Sequence, residues 1–138
     1  MQRDLSSPNL SGVDRFSFEP RTVEKPWGSE LIWAHTDVYA GKILFVKAGE
    51  SLSLQFHNAK DEAWYVLEGK ARVELGKAGE GMLEEEVIGP GQAFHFPPGT
   101  VHRLQAIDDT RILEVSTPQL DDVVRLEDHY GREGTSEP

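Results

Sequence analysis

Four side chains could together bind a divalent metal ion, and they fall in two separate segments of the sequence. Gln55, His57 and Glu62 lie close together in the first segment. His102 ends a second segment that is rich in glycine and proline. Imidazole, carboxylate and amide oxygen are ligands that suit Zn, Mn, Co, Ni or Fe, and the absence of cysteine excludes a thiolate site. These residues predict one divalent metal ion, whose identity stays open among these metals.

The residues around the first candidates follow the alternation of a β-strand over 52–57. Because successive side chains point to opposite faces, Gln55 and His57 share one face. The apolar side chains of Leu52, Leu54 and Phe56 occupy the other. We expect the polar face to line an internal pocket and the apolar face to be covered by another element or another subunit.

Short apolar runs, each ended by glycine, proline, asparagine or aspartate, follow one another along most of the chain. They predict strands over 30–34, 42–47, 52–57, 62–68, 70–75, 82–88, 92–96, 101–107 and 111–116. That spacing is typical of an all-β sandwich or barrel rather than of βαβ units. No helical period is evident before residue 118. Residues 118–130 predict a short C-terminal helix with Asp121 or Asp122 in its first turn.

The length of 138 residues fits one domain with one core. Residues 1–20 are polar and lack a sustained period, which predicts a flexible or irregular arm. We therefore expect a single domain over 21–132 and a disordered tail over 133–138.

The charge and the apolar runs of the chain exclude two classes of binding partner. A net charge of −10, from 24 acidic and 14 basic residues, argues against nucleic-acid binding. The longest apolar runs are far too short to span a membrane, and the N-terminus lacks the apolar core of a secretory signal. We expect a cytoplasmic protein that binds a small molecule.

The spacing of the candidate ligands resembles the two motifs of the cupin family. The first motif is matched by Gly49, Gln55, His57, Glu62 and Gly69, with Gln55 in place of its first histidine. The second motif is matched by Gly91, Pro97, Gly99 and His102. This resemblance implies the cupin fold, an all-β, small antiparallel jelly-roll β-barrel that holds its metal ion in its mouth.

A wider resemblance, from about residue 22 to 132, is to the cupin domain of type II phosphomannose isomerases. It rests on Lys42, Trp64 and the segments 25–30, 52–57, 101–104 and 122–132. That family uses Gln-x-His for its first two ligands, as in Gln55 and His57. The resemblance implies a metal-dependent interconversion of mannose 6-phosphate and fructose 6-phosphate. In that family the cupin domain usually follows a sugar-nucleotide pyrophosphorylase domain, which has no counterpart here, so we expect no nucleotidyl transfer.

The same resemblance implies roles for cationic side chains. Lys42 and Arg125 are candidates for contacting substrate oxygens or phosphate, and Arg132 and Lys60 are weaker ones. The catalytic base stays open among Glu50, His95 and Lys42. Two other functions stay open, namely a different metal-dependent cupin enzyme, such as an Fe dioxygenase, and a non-catalytic sugar-binding cupin.

The outer surface of the predicted barrel carries an apolar set of side chains. Its members are Leu52, Leu54, Phe56, Tyr65 and Leu67. Such an apolar patch is too large to remain exposed to solvent on a small barrel. We therefore expect a homodimer.

Overall fold

The computed structural model describes residues 17–133, and every regular element in this range is a β-strand. The strands are β1 Arg21–Lys25, β2 Gly28–His35, β3 Ala40–Val46, β4 Leu54–Phe56, β5 Glu62–Glu68, β6 Ala71–Lys77, β7 Glu84–Ile88, β8 Ala93–Phe96, β9 Thr100–Ala106, β10 Thr110–Ser116 and β11 Val124–Glu127. They form a six-stranded sheet, in the order β1-β2-β3-β10-β5-β8, and a five-stranded sheet, in the order β11-β4-β9-β6-β7. All paired strands are antiparallel. The predicted all-β cupin fold, an antiparallel jelly roll, is confirmed.

Alternation along each strand builds the interior between the two sheets. In β10, for example, Ile112 and Glu114 are buried, whereas Arg111 and Val115 on either side of this pair are exposed. The inward side chains meet in one core, which includes Trp27, Leu44, Trp64, Phe96, Leu104 and Ile112. Polar inward residues gather at one end of this interior, and there they form the site described below.

Two glycines occupy positions that no other residue could take without strain. Gly69 joins β5 to β6 with a φ of 99°, and a Cβ there would lie 2.4 Å from the carbonyl oxygen of Asp109. Gly28 begins β2 after the turn at 26–27, and a Cβ there would lie 1.9 Å from the carbonyl oxygen of Phe45. Both turns bring strands of the six-stranded sheet into tight contact.

The predicted C-terminal helix over 118–130 is wrong. The chain instead forms turns and then β11, in which Val124 pairs with Phe56 and Arg125 with Gln55. Pairing with β4 satisfies backbone groups that would otherwise form an open sheet edge. Residues 118–132 therefore form turns and one short strand beside β4, and we call this segment the C-terminal strap.

The apolar residues predicted to share one outer face lie on two different sheets. Leu54 and Phe56 belong to β4, whereas Tyr65 and Leu67 belong to β5. Leu52 precedes the regular strand and packs into the core.

Strand β1 was not predicted, and its residues fall next to the predicted N-terminal arm. Residues 17–20 are exposed and have no regular secondary structure, while 1–16 and 134–138 lie outside the described residues. The predictions for the arm and the tail therefore concern mainly residues that the structure does not describe.

Candidate metal centre

Three of the four candidate ligands converge at one end of the barrel interior. His57 follows β4, Glu62 begins β5, and His102 lies in β9. One possible ligand atom from each of these buried residues lies within 4.8 Å of the others. Gln55, the fourth candidate, is paired directly opposite His102 across β4 and β9, and its side chain lines the same chamber.

Backbone carbonyls orient both imidazoles toward the common point. His57 Nδ1 contacts the carbonyl oxygen of Asp122, and His102 Nδ1 contacts that of Thr100 at 3.0 Å. A carbonyl accepts only, so each Nδ1 must carry the proton. Each Nε2 is therefore the ring nitrogen that faces Glu62, and it is the nitrogen that could bind a metal ion.

The Nε2 atoms crowd around one carboxylate oxygen. Glu62 Oε1 lies 3.3 Å from His57 Nε2 and 2.9 Å from His102 Nε2. The second contact is close but not aligned as a hydrogen bond, so among the described residues His102 Nε2 is a buried nitrogen without a hydrogen-bond partner. A buried imidazole nitrogen without a hydrogen-bond partner, beside a second imidazole and a carboxylate, is what a binding site for a divalent cation requires.

The other oxygen of Glu62 is held by a buried ion pair. Lys60 Nζ lies 3.1 Å from Glu62 Oε2 and 3.4 Å from Glu114 Oε2. Trp64 Nε1 donates to Glu114 Oε1 at 3.1 Å. Lys60 therefore ties the candidate ligand Glu62 to a second buried carboxylate, and it leaves Glu62 Oε1 to face the two imidazoles.

The ionisation of these groups follows from burial and their neighbours. Burial alone would raise the pKa of Glu62, but the contacts with His102 and His57 and the charge of Lys60 hold it well below its usual range. Burial and the charge of Glu62 raise the pKa of Glu114 despite Lys60. Burial disfavours the charged form of Lys60, yet the two carboxylates outweigh it and raise its pKa. Glu62 is thus kept as a carboxylate, the form that binds metal.

The strap fixes the loop that joins β4 to β5. The carboxylate of Asp122 accepts hydrogen bonds from the backbone N–H groups of Asn58, Ala59 and Lys60 at 3.0, 2.7 and 2.8 Å. Gly99 N–H donates to the His57 carbonyl at 2.8 Å, which joins this loop to the second motif. One residue of the strap thus positions both the loop and the ring of His57.

The ligand candidates form the inner part of a chamber between the sheets. Five cationic side chains and three carboxylates line it, namely Lys25, Lys42, Lys60, Arg125, Arg132, Glu30, Glu62 and Glu114. Apolar residues of the core and the strap complete its wall, among them Trp27, Leu44, Leu120 and Val123. Charge of both signs in a partly enclosed space is typical of a binding or catalytic site.

The predicted substrate contacts lie in this chamber, but most of the predicted bases do not. Lys42 and Arg125 are buried and line it, as do Lys60 and Arg132. His95 is on the outer face of β8 beside Asp61, and the carboxylate of Glu50 accepts from the hydroxyl of Tyr130. Neither is among the residues that line the chamber, so of the three candidate bases only Lys42 could reach a ligand there.

Sequence reasoning missed Glu30 and Glu114, two acids of the chamber. Each lies two residues from a buried isoleucine on the same face of its strand, Glu30 from Ile32 and Glu114 from Ile112. An acid at such a position is the signal that could have identified them. Lys25 entered the sequence analysis only within the segment 25–30 that carries the family resemblance, and it also lines the chamber.

In the described part of the chain, 17–133, no helix is long and apolar enough to cross a membrane.

Comparison with known sequences connects the chain to one family and to longer enzymes. Residues 15–128 match the family model described as mannose-6-phosphate isomerase C-terminal. The mannose-1-phosphate guanylyltransferase ManC of Salmonella typhimurium is 34% identical over 117 residues, covering 81% of this chain and 23% of ManC. The alginate biosynthesis protein AlgA of Pseudomonas aeruginosa is 34% identical over 121 residues, covering 84% of this chain and 24% of AlgA. The chain spans about a quarter of the length of these curated relatives.

Three solved structures of differently named proteins are similar in fold to this chain. The capsular polysaccharide assembling protein CapF of Staphylococcus aureus has a TM-score of 0.67 at 20% identity, covering 82% of this chain and 34% of CapF. Oxalate decarboxylase of Bacillus subtilis has a TM-score of 0.68 at 24% identity, covering 80% of this chain and 31% of that enzyme. KdgF of Halomonas sp. has a TM-score of 0.61 at 26% identity, covering 78% of this chain and 98% of KdgF. These likenesses agree with the cupin fold.

Proposed function

The chain belongs to the family of the C-terminal domain of mannose-6-phosphate isomerases, and we propose that it is a metal-dependent aldose–ketose isomerase acting on a sugar phosphate. The observation that supports this most is the convergence of His57, Glu62 and His102 at the inner end of a chamber rich in cations. Gln55, opposite His102, is the proposed fourth ligand. The donor set of nitrogen and oxygen without sulfur suits Zn, Mn, Co, Ni or Fe.

The proposed reaction moves a proton between two neighbouring carbons, one of which is a carbonyl carbon. A divalent ion held by these residues would supply Lewis-acid stabilisation of the negative charge that develops when the proton leaves. The protein's own part is to hold the sugar, exclude water and carry the proton. The buried chamber between the sheets provides the enclosure.

We assign the proton transfer to the buried pair Lys60 and Glu114. Of the three carboxylates that line the chamber, Glu62 is a proposed ligand and Glu30 pairs with Lys42. Glu114 is the remaining carboxylate; it would accept the proton from one carbon and return it to the neighbouring carbon, and Lys60, 3.4 Å away, would stabilise its charged form. Glu114→Gln should abolish turnover while metal content stays unchanged, because Glu114 is not a ligand in this proposal.

Lys42 and Arg125 are proposed to orient the substrate. Both are buried and project from opposite walls of the chamber, β3 and the C-terminal strap. Their N–H groups can only donate, so they suit the hydroxyl and phosphate oxygens of a sugar phosphate. The guanylyl transfer that the relatives' names describe is not proposed for this chain, which matches only about a quarter of their length.

The experiment is an isomerase assay on protein of known metal content. We expect purified protein to hold one divalent ion per chain and to convert mannose 6-phosphate to fructose 6-phosphate. EDTA should abolish the activity, and Mn²⁺, Co²⁺ or Zn²⁺ should restore it in the wild type but not in His102→Ala. Oxygen uptake with a catechol or thiol would instead support a dioxygenase. Sugar binding without turnover of any aldose or ketose phosphate would support a non-catalytic cupin.

We also propose that the chain forms a homodimer through the outer face of the six-stranded sheet. That face carries Trp33, Tyr65, Leu67 and Val115, which are 38–50% exposed, on strands β2, β5 and β10. Apolar side chains exposed on several strands of one sheet are typical of a surface that binds another protein. Sedimentation should show a dimer at micromolar concentration and a monomer for Val115→Lys; a monomeric wild type would contradict the proposal.

A further inference from the structure

Lys60 is a buried cation that lies directly beside the proposed metal ligand Glu62. Its side chain is 6% exposed, and its Nζ lies 3.1 Å from Glu62 Oε2. A lysine buried to this extent is rare unless it is paired, and the carboxylates of Glu62 and Glu114 supply the pairing. They explain how the charge is tolerated, but not why a cation lies beside a site for another cation, which it must repel.

The two carboxylate oxygens of Glu62 face different partners. Oε1 lies 2.9 Å from His102 Nε2 and 3.3 Å from His57 Nε2. Oε2 lies beside the ammonium group of Lys60. That group donates to Oε2 and repels a metal ion from the same oxygen. Glu62 therefore presents one oxygen to the imidazoles and keeps the other for Lys60.

The ammonium group of Lys60 is itself fixed in place. Its Nζ lies 3.4 Å from Glu114 Oε2, and Trp64 Nε1 donates to Glu114 Oε1 at 3.1 Å. The residues Lys60, Glu62, Glu114 and Trp64 are all at most 5% exposed. The backbone N–H of Lys60 donates to the carboxylate of Asp122 at 2.8 Å. Contacts at both its backbone and its side chain thus hold Lys60 beside Glu62 Oε2.

We propose that Lys60 is a positioning residue that makes Glu62 bind the metal ion through Oε1 alone. The inference rests on the metal centre of the proposed function and adds the residue that determines how many positions on the ion stay open. If each of the four proposed ligands supplies one donor atom, an octahedral ion keeps about two positions for other oxygen atoms. If Glu62 bound through both oxygens, about one would remain.

The number of open positions bears on the proposed reaction. The proton moves between two neighbouring carbons that each carry an oxygen atom. Both of these oxygens can contact the ion only if two neighbouring positions are open. Without sugar, water would occupy the same positions, and the chamber of about 50 Å³ has room for a few waters.

The experiment counts the water molecules bound to Mn²⁺ in protein without sugar. The variant is Lys60→Met, which removes the charge and keeps a long side chain. The count comes from the proton relaxation of solvent water and from electron–nuclear double resonance in ¹⁷O-labelled water. We expect about two bound waters in the wild type and about one in Lys60→Met, because Glu62 Oε2 replaces a water. The affinity for Mn²⁺ should not fall in the variant, whereas a general disturbance of the site would lower it.

Three further variants separate positioning by Lys60 from a defect in folding. Glu114→Gln is the matched control, because it changes the other partner of Lys60 and leaves Lys60 beside Glu62; its water count should equal that of the wild type. Lys60→Arg keeps the positive charge and should also retain the wild-type count. The double variant Lys60→Met with Glu114→Gln leaves no unpaired carboxylate at position 114, and it should show the same loss of water as Lys60→Met.

The positioning role is overturned if Lys60→Met and the double variant bind as many waters as the wild type, or if Glu114→Gln loses a water as they do. Because the count is made without sugar, it does not depend on turnover. Protein with the expected water counts that isomerises no sugar phosphate would support the role of Lys60 while contradicting the isomerase. Protein that binds no Mn²⁺ or other divalent ion would contradict both.

Discussion

Replacing Asp122 by alanine tests whether the C-terminal strap positions the proposed metal ligands. Asp122 touches no ligand through its side chain, but its carboxylate accepts three consecutive backbone N–H groups from the loop between His57 and Glu62. Its carbonyl oxygen accepts from His57 Nδ1. Without the carboxylate, the loop and the strap lose their common anchor. His57 should then lose its fixed tautomer and ring orientation.

The size of the effect can be bounded from these contacts. Hydrogen bonds to a charged group contribute about 1.5–3 kcal/mol each when buried, and the exposure of Asp122 makes this an upper bound. Loss of an outer partner of a metal-bound residue reduces metal affinity by about 10- to 100-fold, which corresponds to about 1.4–2.7 kcal/mol. We expect Asp122→Ala to fall in that range and Asp122→Asn, which keeps one acceptor oxygen, to fall between Asp122→Ala and the wild type.

The assay is a chelator competition for Zn²⁺ or Co²⁺, with Asp121→Ala as control because it removes the adjacent, exposed carboxylate. The tautomer of His57, read from ¹⁵N NMR of the metal-free protein, separates positioning from a general loss of stability. The wild type should show the proton on Nδ1, and Asp122→Ala a mixture. Equal metal affinity in Asp122→Ala and Asp121→Ala would refute the positioning role.

Three further predictions concern stability. Gly69→Ala should destabilise the fold by about 1–3 kcal/mol in urea unfolding, because its φ is 99° and a Cβ meets Asp109 O; an unchanged midpoint would contradict this. Trp64→Phe should lower stability by about 1–3 kcal/mol, since it removes the donor to buried Glu114. Trp27→Phe, which changes another buried indole, serves as the comparison. Burial would raise the pKa of Asp128, but its contacts with Arg132 lower it. Asp128 therefore stabilises the fold above its unfolded pKa of about 3.9. This contribution is lost as the pH falls through the lower pKa of the folded state. The free energy of unfolding should therefore fall less steeply below about pH 4 in Asp128→Asn than in the wild type. The same dependence on pH in both proteins would count against the ion pair.

The strands and the candidate ligands were predictable because local rules determine both. Alternation and turn residues located nine strands to within a few residues, and the same alternation placed Gln55 and His57 on an inward face. The convergence with Glu62 and His102 followed from the resemblance to the two cupin motifs. The positions of the strands and the inward face of Gln55 and His57 depend on short-range patterns, which a single sequence displays.

The strap was not predictable in this way. Residues 118–130 contain acids and apolar residues at helical spacing, but β4 offered an unpaired edge and Asp122 found three N–H groups in a loop distant in sequence. Tertiary pairing outweighed local helix propensity. Glu30 and Glu114 were missed for a related reason, because their cationic partners come from other strands and loops.

The most direct test of the proposed function follows the proton itself. Metal-loaded protein is incubated with mannose 6-phosphate in D₂O, and the sugar is examined by ¹H NMR. Isomerisation by proton transfer within the chamber predicts fructose 6-phosphate as product and deuterium at C2 of the recovered mannose 6-phosphate. An unchanged spectrum from protein that holds one metal ion per chain would contradict the proposal.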